Sequence, residues 1–155
     1  MGGEARAPLR PVGLRSPAAN LKIVGLLLAA GSGSRFGSDK LLHLLPHGVP
    51  IAVQAARHLG AQVGRTVAVI KPGAGELAAR RKEEKCEIVV CDNAAEGMGA
   101  SLACAVRAAQ DADAWLVALG DMPFVRPSSI AALRSALEGG ASLTAPFFRA
   151  RRGHP

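Results

Sequence analysis

Short apolar runs alternate along this chain with longer stretches of mixed polarity. Ile23–Leu28, Thr66–Ile70, Glu87–Cys91, Ala114–Leu119 and Ala141–Ala145 each read as a strand of five or six residues. The stretches between them read as helices: Ile51 to about Leu59 behind Pro50, Glu76–Lys85, Ala100–Ala109 and Ser128–Leu137. Proline is tolerated in a helix's first turn, so Pro50 marks a start. Strands that are apolar throughout, rather than on alternate positions, belong to a parallel sheet covered by helices on both faces. The pattern therefore predicts a Rossmann-like α/β domain, whose ligands gather at the carboxyl ends of the strands.

The first 21 residues break this pattern. They are rich in Pro, Gly and Arg, lack apolar periodicity and read as a disordered leader, leaving one domain over residues 22–155. No apolar core of a secretory signal precedes that domain, and the run at residues 23–30 is too short to cross a bilayer. A cytoplasmic protein with no membrane partner is expected. The formal charge of +7 would suggest nucleic acid, but its location argues otherwise. Four cations against Glu4 lie in the first 22 residues, and Arg149, Arg151 and Arg152 lie at the end, so the middle is nearly balanced. With no Tyr and few aromatics, a base-stacking platform is equally disfavoured, and nucleic acid is not an expected partner. Cys86, Cys91 and Cys104 are odd in number and lack CxxC spacing, so buried free thiols are expected ahead of zinc ligands or disulfides. His43, His47 and His58 are scattered and read as surface or packing residues, and the mixed-charge run Arg80–Lys85 reads as a solvated helix face.

The chemistry concentrates where the first strand ends. Leu28-Ala29-Ala30 runs into Gly31-Ser32-Gly33-Ser34-Arg35-Phe36-Gly37-Ser38-Asp39-Lys40. Small residues let a backbone approach a ligand closely, successive N–H groups make a concavity for anions, and Arg35 and Lys40 add two cations. A strand end with these properties suits a polyphosphate. It is not a Walker A loop, because Gly37 is followed by Ser38-Asp39-Lys40-Leu41 rather than by Gly-Lys-Ser/Thr spacing. Nor is it the dinucleotide fingerprint: after Gly31 and Gly33 the third glycine falls one position late, and Ile70-Lys71 stands where an acidic residue is required.

Four segments, in order, resemble the MobA-like NTP transferases, and within them the molybdenum cofactor cytidylyltransferases of MocA type. These are Leu28-Ala29-Ala30-Gly31 with Arg35-Phe36-Gly37 and Lys40, Glu96 to Leu102, Gly120-Asp121-Met122-Pro123, and Arg152-Gly153-His154-Pro155. The resemblance implies a three-layer sandwich of the nucleotide-diphospho-sugar transferase type. In that family further strand and helix follow the Gly-His-Pro step, so the domain is expected to be incomplete at its C-terminus.

What the resemblance implies chemically is attack on the α-phosphorus of an NTP with loss of pyrophosphate. Such a reaction needs cations on the leaving phosphates and a divalent metal more than it needs a covalent helper. Arg35 and Lys40 supply the cations, a forked donor and a compact charge respectively. Asp121, at a strand end before the Met122-Pro123 turn, matches the family's metal-binding Asp, and a hard carboxylate suits Mg²⁺, with Mn²⁺ as substitute. Arg35, Lys40 and Asp121 are thus the catalytic candidates, and Leu28 to Gly33 the nucleotide loop. Asp92 and Asn93 either shape the nucleotide pocket or form an Asx turn. Gly97 and Ser101 open a helix whose N–H groups would face an anion or sugar hydroxyl, although Ser101 could be simply its N-cap. His154 is implied on the acceptor side of the cleft.

The Ala29-Ala30-Gly31 opening resembles the CTP-using branch, and a methyl at Ala30 would narrow the pocket against a purine. The expected reaction joins CMP from CTP to the phosphate of molybdopterin-bound molybdenum, with a xanthine dehydrogenase-type molybdoenzyme as a later partner. Three alternatives stay open: GTP as donor, a small-metabolite or sugar-phosphate acceptor, and a non-catalytic cofactor carrier or insertion chaperone.

Overall fold

The computed structural model describes residues 20–31, 40–148 and 151–152, and in it four strands form an all-parallel sheet in the order β3-β2-β1-β4. The strands are β1 (Ile23–Ala29), β2 (Thr66–Ile70), β3 (Glu87–Val90) and β4 (Ala114–Leu119). The helices are α1 (Ile51–Gly60), α2 (Gly75–Glu83), α3 (Met98–Ala108) and α4 (Pro127–Glu138). Short 3₁₀ turns cover Lys40–Leu42 and Ala94–Glu96. The α/β class and parallel sheet expected from the strand pattern are both present.

Side chains alternate across β1 and so divide the core. Val24, Leu26 and Leu28, with Val67 and Val69 of β2, pack under Ala105 and Ala109 of α3 and its flank. Leu27 and Ala68 point the other way, onto Ala55, Ala56 and Leu59 of α1 and Ile130 and Leu137 of α4. Ala29 and Ile70 continue that second face against Leu41, Ala52 and Leu77 of α2. Three layers result. The sheet grows from β1 to β2 to β3 on one side, then the chain returns beneath α3 to place β4 on the other edge of β1. Such a reversal leaves a crevice at the carboxyl ends of the two strands that flank it, here β1 and β4.

Gly25 sets how closely α1 approaches this sheet. A Cβ there would stand 2.9 Å from Leu59 Cγ and 3.0 Å from Val63 Cγ2. At the opposite, amino end of the strands, Arg65 bridges Glu87 and Asp111, and Lys22 also pairs with Asp111. The hydrogen bond from Lys22, then that from Arg65, holds the Asp111 carboxyl down at about 2. A carboxyl depressed in the folded state favours folding above its unfolded value and loses that contribution as pH falls toward 2.

Several expectations need correction. Ala141–Ala145 is not a strand; the next extended pairing is antiparallel, β5 (Phe147–Phe148) with β6 (Arg151–Arg152). Leu143 is 77% exposed, and a run with one large apolar residue offers too little to bury in a sheet interior. α3 begins at Met98, two residues early. Its first residue follows Gly97, whose φ of +124° and ψ of −177° lie in a region essentially reserved for glycine. α2 runs Gly75–Glu83 and is closed off by Lys85 in the left-handed conformation, φ +58°. Cys91 and Cys104 are not free thiols but are joined by a disulfide across 13 residues; Cys86 is a buried thiol, as expected. The leader expected over residues 1–21 lies, up to residue 19, outside the described residues.

Two stability predictions follow from this packing. Gly25→Ala forces a methyl against a buried Leu59 and should lower the unfolding free energy by about 1–3 kcal/mol in urea titration. Cys104→Ser opens a short covalent loop and should cost about 2–3 kcal/mol without reductant, a difference that vanishes when both proteins are titrated in excess dithiothreitol.

Candidate active site

The crevice is built from backbone. Gly120 N–H donates to Leu28 C=O at 2.8 Å, so the pairing of β4 with β1 runs one residue past the strand. A Cβ on Gly120 would meet Ala29 Cβ at 3.0 Å and Leu28 O at 3.2 Å. Only glycine lets the turn after β4 lie this close to β1. Met122 N–H then closes a turn on Leu119 C=O at 3.2 Å, which turns Asp121 out of the sheet at its carboxyl end.

Lys40 reaches the same place from the opposite direction. It opens the 3₁₀ turn that follows the glycine-rich loop, and Leu41 beside it is buried against Ala29 and Ala52. That anchor holds the Lys40 ammonium 3.9 Å from an Asp121 carboxylate oxygen. The two side chains remain 44% and 50% exposed. A cation and a hard carboxylate, side by side and accessible, can receive a phosphate on one and a divalent metal on the other. A single carboxylate suffices for Mg²⁺, which takes one or two and fills its shell with water and phosphate oxygens. Among the described residues no group of three or more His, Cys, Asp or Glu is placed to hold a metal ion.

The remaining site residues divide clearly. Leu28, Ala29 and Ala30 are buried, and the Ala30 side chain lies in the core cluster under α3 with Cys91, Ala94 and Ala105. Gly31 follows them at the surface. No described atom lies within 4 Å of where a Cβ would stand on Gly31, Gly97 or Gly99, so bare backbone faces open space there. Cys91 N–H continues the β3 pairing onto Ile70 C=O, which delivers the exposed Asp92 and Asn93 to the same end of the sheet. Asn93 makes no side-chain cap to the turn that follows; its amide donates to Glu96 at 3.2 Å, and its Oδ1 lies 3.3 Å from Cys91 Sγ. Ser101 is not the N-cap of α3. Gly97 holds that position, and Ser101 is buried inside the helix with its N–H toward Gly97 C=O. Ser32, Gly33, Arg35 and His154 lie outside the described residues.

One participant near the turn was not expected. His58, read from sequence as a packing residue, contacts the Val125 carbonyl oxygen through Nδ1 at 2.9 Å. No spacing rule links a histidine on the first crossover helix to a backbone atom 67 residues later.

The MobA-like NTP transferase domain family matches residues 25–155. The bifunctional protein GlmU of Xanthobacter autotrophicus is 32% identical over 127 residues, covering 79% of this chain and 28% of that protein. The chain thus spans under a third of the length of the curated relatives it matches. Among solved structures, a nucleotidyl transferase from Methanothermobacter is 30% identical with a TM-score of 0.66, over 75% of this chain and 57% of that one. CMP:2-keto-3-deoxy-manno-octonic acid synthetase, solved with CTP, is 20% identical with a TM-score of 0.61, over 79% and 49%. At that identity the likeness is one of fold.

Proposed function

Because this chain belongs to the MobA-like NTP transferase domain family, we propose that it is a nucleotidyltransferase that moves CMP from CTP to the phosphate of a molybdopterin-type acceptor. The observation that carries the reading is the meeting of Lys40 and Asp121 at the crevice between β1 and β4. Nothing in the packing of the core requires an accessible cation and carboxylate at that point.

In the reaction an acceptor phosphate oxygen attacks the α-phosphorus. The bond to the α,β-bridging oxygen breaks, and its electron pair leaves with pyrophosphate. Negative charge grows on the leaving group, and stabilising it is the main demand on the site. In this reading the Lys40 ammonium neutralises those phosphates, and Arg35 of the glycine-rich loop is the second cation. Asp121 is the residue that would hold Mg²⁺, which when bound polarises the α-phosphoryl group and screens its charge from the incoming oxygen. The open backbone at Gly31 and at the start of α3 offers N–H donors to phosphate or sugar oxygens.

CTP is favoured by the Ala29-Ala30-Gly31 opening, and the fold neighbour solved with CTP is a case in which this architecture accommodates that nucleotide. With the Ala30 methyl buried under α3, base choice falls to the backbone at Gly31 and to the Asp92–Asn93 turn more than to that methyl.

Activity is tested by pyrophosphate release from CTP with molybdopterin-type acceptor, using the full-length protein. Asp121→Asn should lower kcat/KM by about a hundredfold or more with an unchanged far-ultraviolet circular dichroism spectrum. Lys40→Ala should weaken CTP binding about tenfold or more while CMP binding changes little, because the contact is to the distal phosphates. A folded Asp121→Asn protein with near-normal turnover would remove the metal assignment.

Base choice is tested separately by kcat/KM for CTP and GTP. The wild type should prefer CTP. Ala30→Gly should leave that ratio within about threefold of wild type, since its methyl is packed in the core under α3 rather than facing the crevice. A wild type that prefers GTP would make the protein a guanylyl rather than a cytidylyl transferase.

A further inference from the structure

The turn that carries Asp121 is poorly anchored by packing. Asp121, Met122 and Phe124 are exposed, Phe124 to 77%, and Pro123 alone among residues 121–124 is buried. At its near end the turn is fixed by the Gly120 and Met122 N–H bonds to Leu28 and Leu119. Its far end is fixed by His58 of α1, whose Nδ1 lies 2.9 Å from Val125 C=O. A carbonyl oxygen only accepts, so His58 donates from Nδ1, which leaves Nε2 to face the Gln54 amide. Gln54 Nε2 lies 2.6 Å from that nitrogen and donates to it. The other end of the same amide, Oε1, lies 3.1 Å from His47 Nε2 and accepts from it. The three contacts run in one direction, from His47 through Gln54 to His58 and on to Val125, so each side chain orients the next. His58 and Gln54 are half-buried, one helical turn apart on a helix that packs on β1.

We infer that His58, oriented by Gln54 and His47, is a positioning residue that holds the Asp121 turn against the β1 end. This inference rests on the reading of Asp121 as the metal-binding residue. His58 touches no reacting atom; it ties the far end of the turn to the frame of α1 by a directional bond, alongside the packing of Val125 on the same core. Without it, Asp121 would keep its place in sequence but sample positions away from Lys40.

The probe is Mn²⁺, titrated into the full chain loaded with α,β-methylene CTP and followed by electron paramagnetic resonance. His58→Leu should weaken Mn²⁺ binding about tenfold, and nucleotide affinity in EDTA should stay within about twofold. Asn carries its amide nitrogen where His carries Nδ1, so His58→Asn should return Mn²⁺ binding to within about threefold of wild type. Should His58→Leu fail to fold, His58→Gln serves in its place. It is equally polar but carries its amide at the Nε2 position, and it should bind Mn²⁺ more weakly than His58→Asn. Normal Mn²⁺ binding by folded His58→Leu, or equal binding by the Asn and Gln variants, would overturn the positioning role alone. A wild type that takes up no Mn²⁺ with the nucleotide would remove the Asp121 reading and this inference with it.

Discussion

The site depends on how closely β4 can lie beside β1. Five backbone positions of β1 are matched to β2 and six to β4, so this strand is paired on both edges and buried on both faces. It has no slack. Where the chain leaves β4, the same tightness persists for one more residue, because Gly120 lacks the side chain that would push against Ala29. A residue with a Cβ would have to displace the end of β1 or the start of the turn, and either movement would separate Asp121 from Lys40. The convergence of two groups 81 positions apart in sequence is therefore a consequence of sheet pairing, not of any attraction between them.

Topology then decides what that convergence can do. Parallel strands all point the same way, so their carboxyl ends, with the loops that follow, share one rim. α3 lies on the face of the sheet opposite α1 and α4, and the reversal between β1 and β4 parts the loops at that rim. Asp121 enters from one side of the gap, the Gly31 backbone from the other, and the Asp92–Asn93 turn from beneath α3. The proposed nucleotide would lie across those three features. Under that reading the chemistry belongs to Lys40 and Asp121 rather than to the architecture that brings them together.

What was legible in the sequence was what local chemistry controls. Ile23–Leu28 and Thr66–Ile70 are apolar runs buried on both faces, and such strands can hardly be written any other way; Ala114–Leu119 is as apolar but lies at the sheet's edge, with Trp115 partly exposed. Asp121 and Lys40 stand out in the sequence because each is an ion at a strand end or loop exit, and the structure brings the two within 3.9 Å of each other. Ala141–Ala145 misled because a run of small residues with a single large apolar one, Leu143, keeps the apolar look of a strand without enough to bury in a sheet. The Cys91–Cys104 bond was invisible for a different reason. It depends on α3 folding back over the end of β3, which brings two Cα atoms to 6.1 Å, and nothing in a spacing of 13 residues reports that return. His58 belongs to the same class. A histidine bonded to a backbone carbonyl leaves no signature in either partner's sequence, since every residue has a carbonyl.

The Lys40–Asp121 pair also shows why geometry, and not stability, identifies the site. At 3.9 Å between side chains that are each about half exposed, an ion pair contributes of order 0–1 kcal/mol, because water screens it and both side chains give up rotamer freedom. The pairs that tie the amino ends of the strands together are closer, and Arg65 there engages two carboxylates at once, an arrangement that serves the fold. At the carboxyl ends the spacing is wider and the groups are left open. Such a pair is a poor brace. Under the proposed function it is a suitable receptor, since a phosphate would take the carboxylate's place at Lys40 and leave Asp121 to a divalent ion.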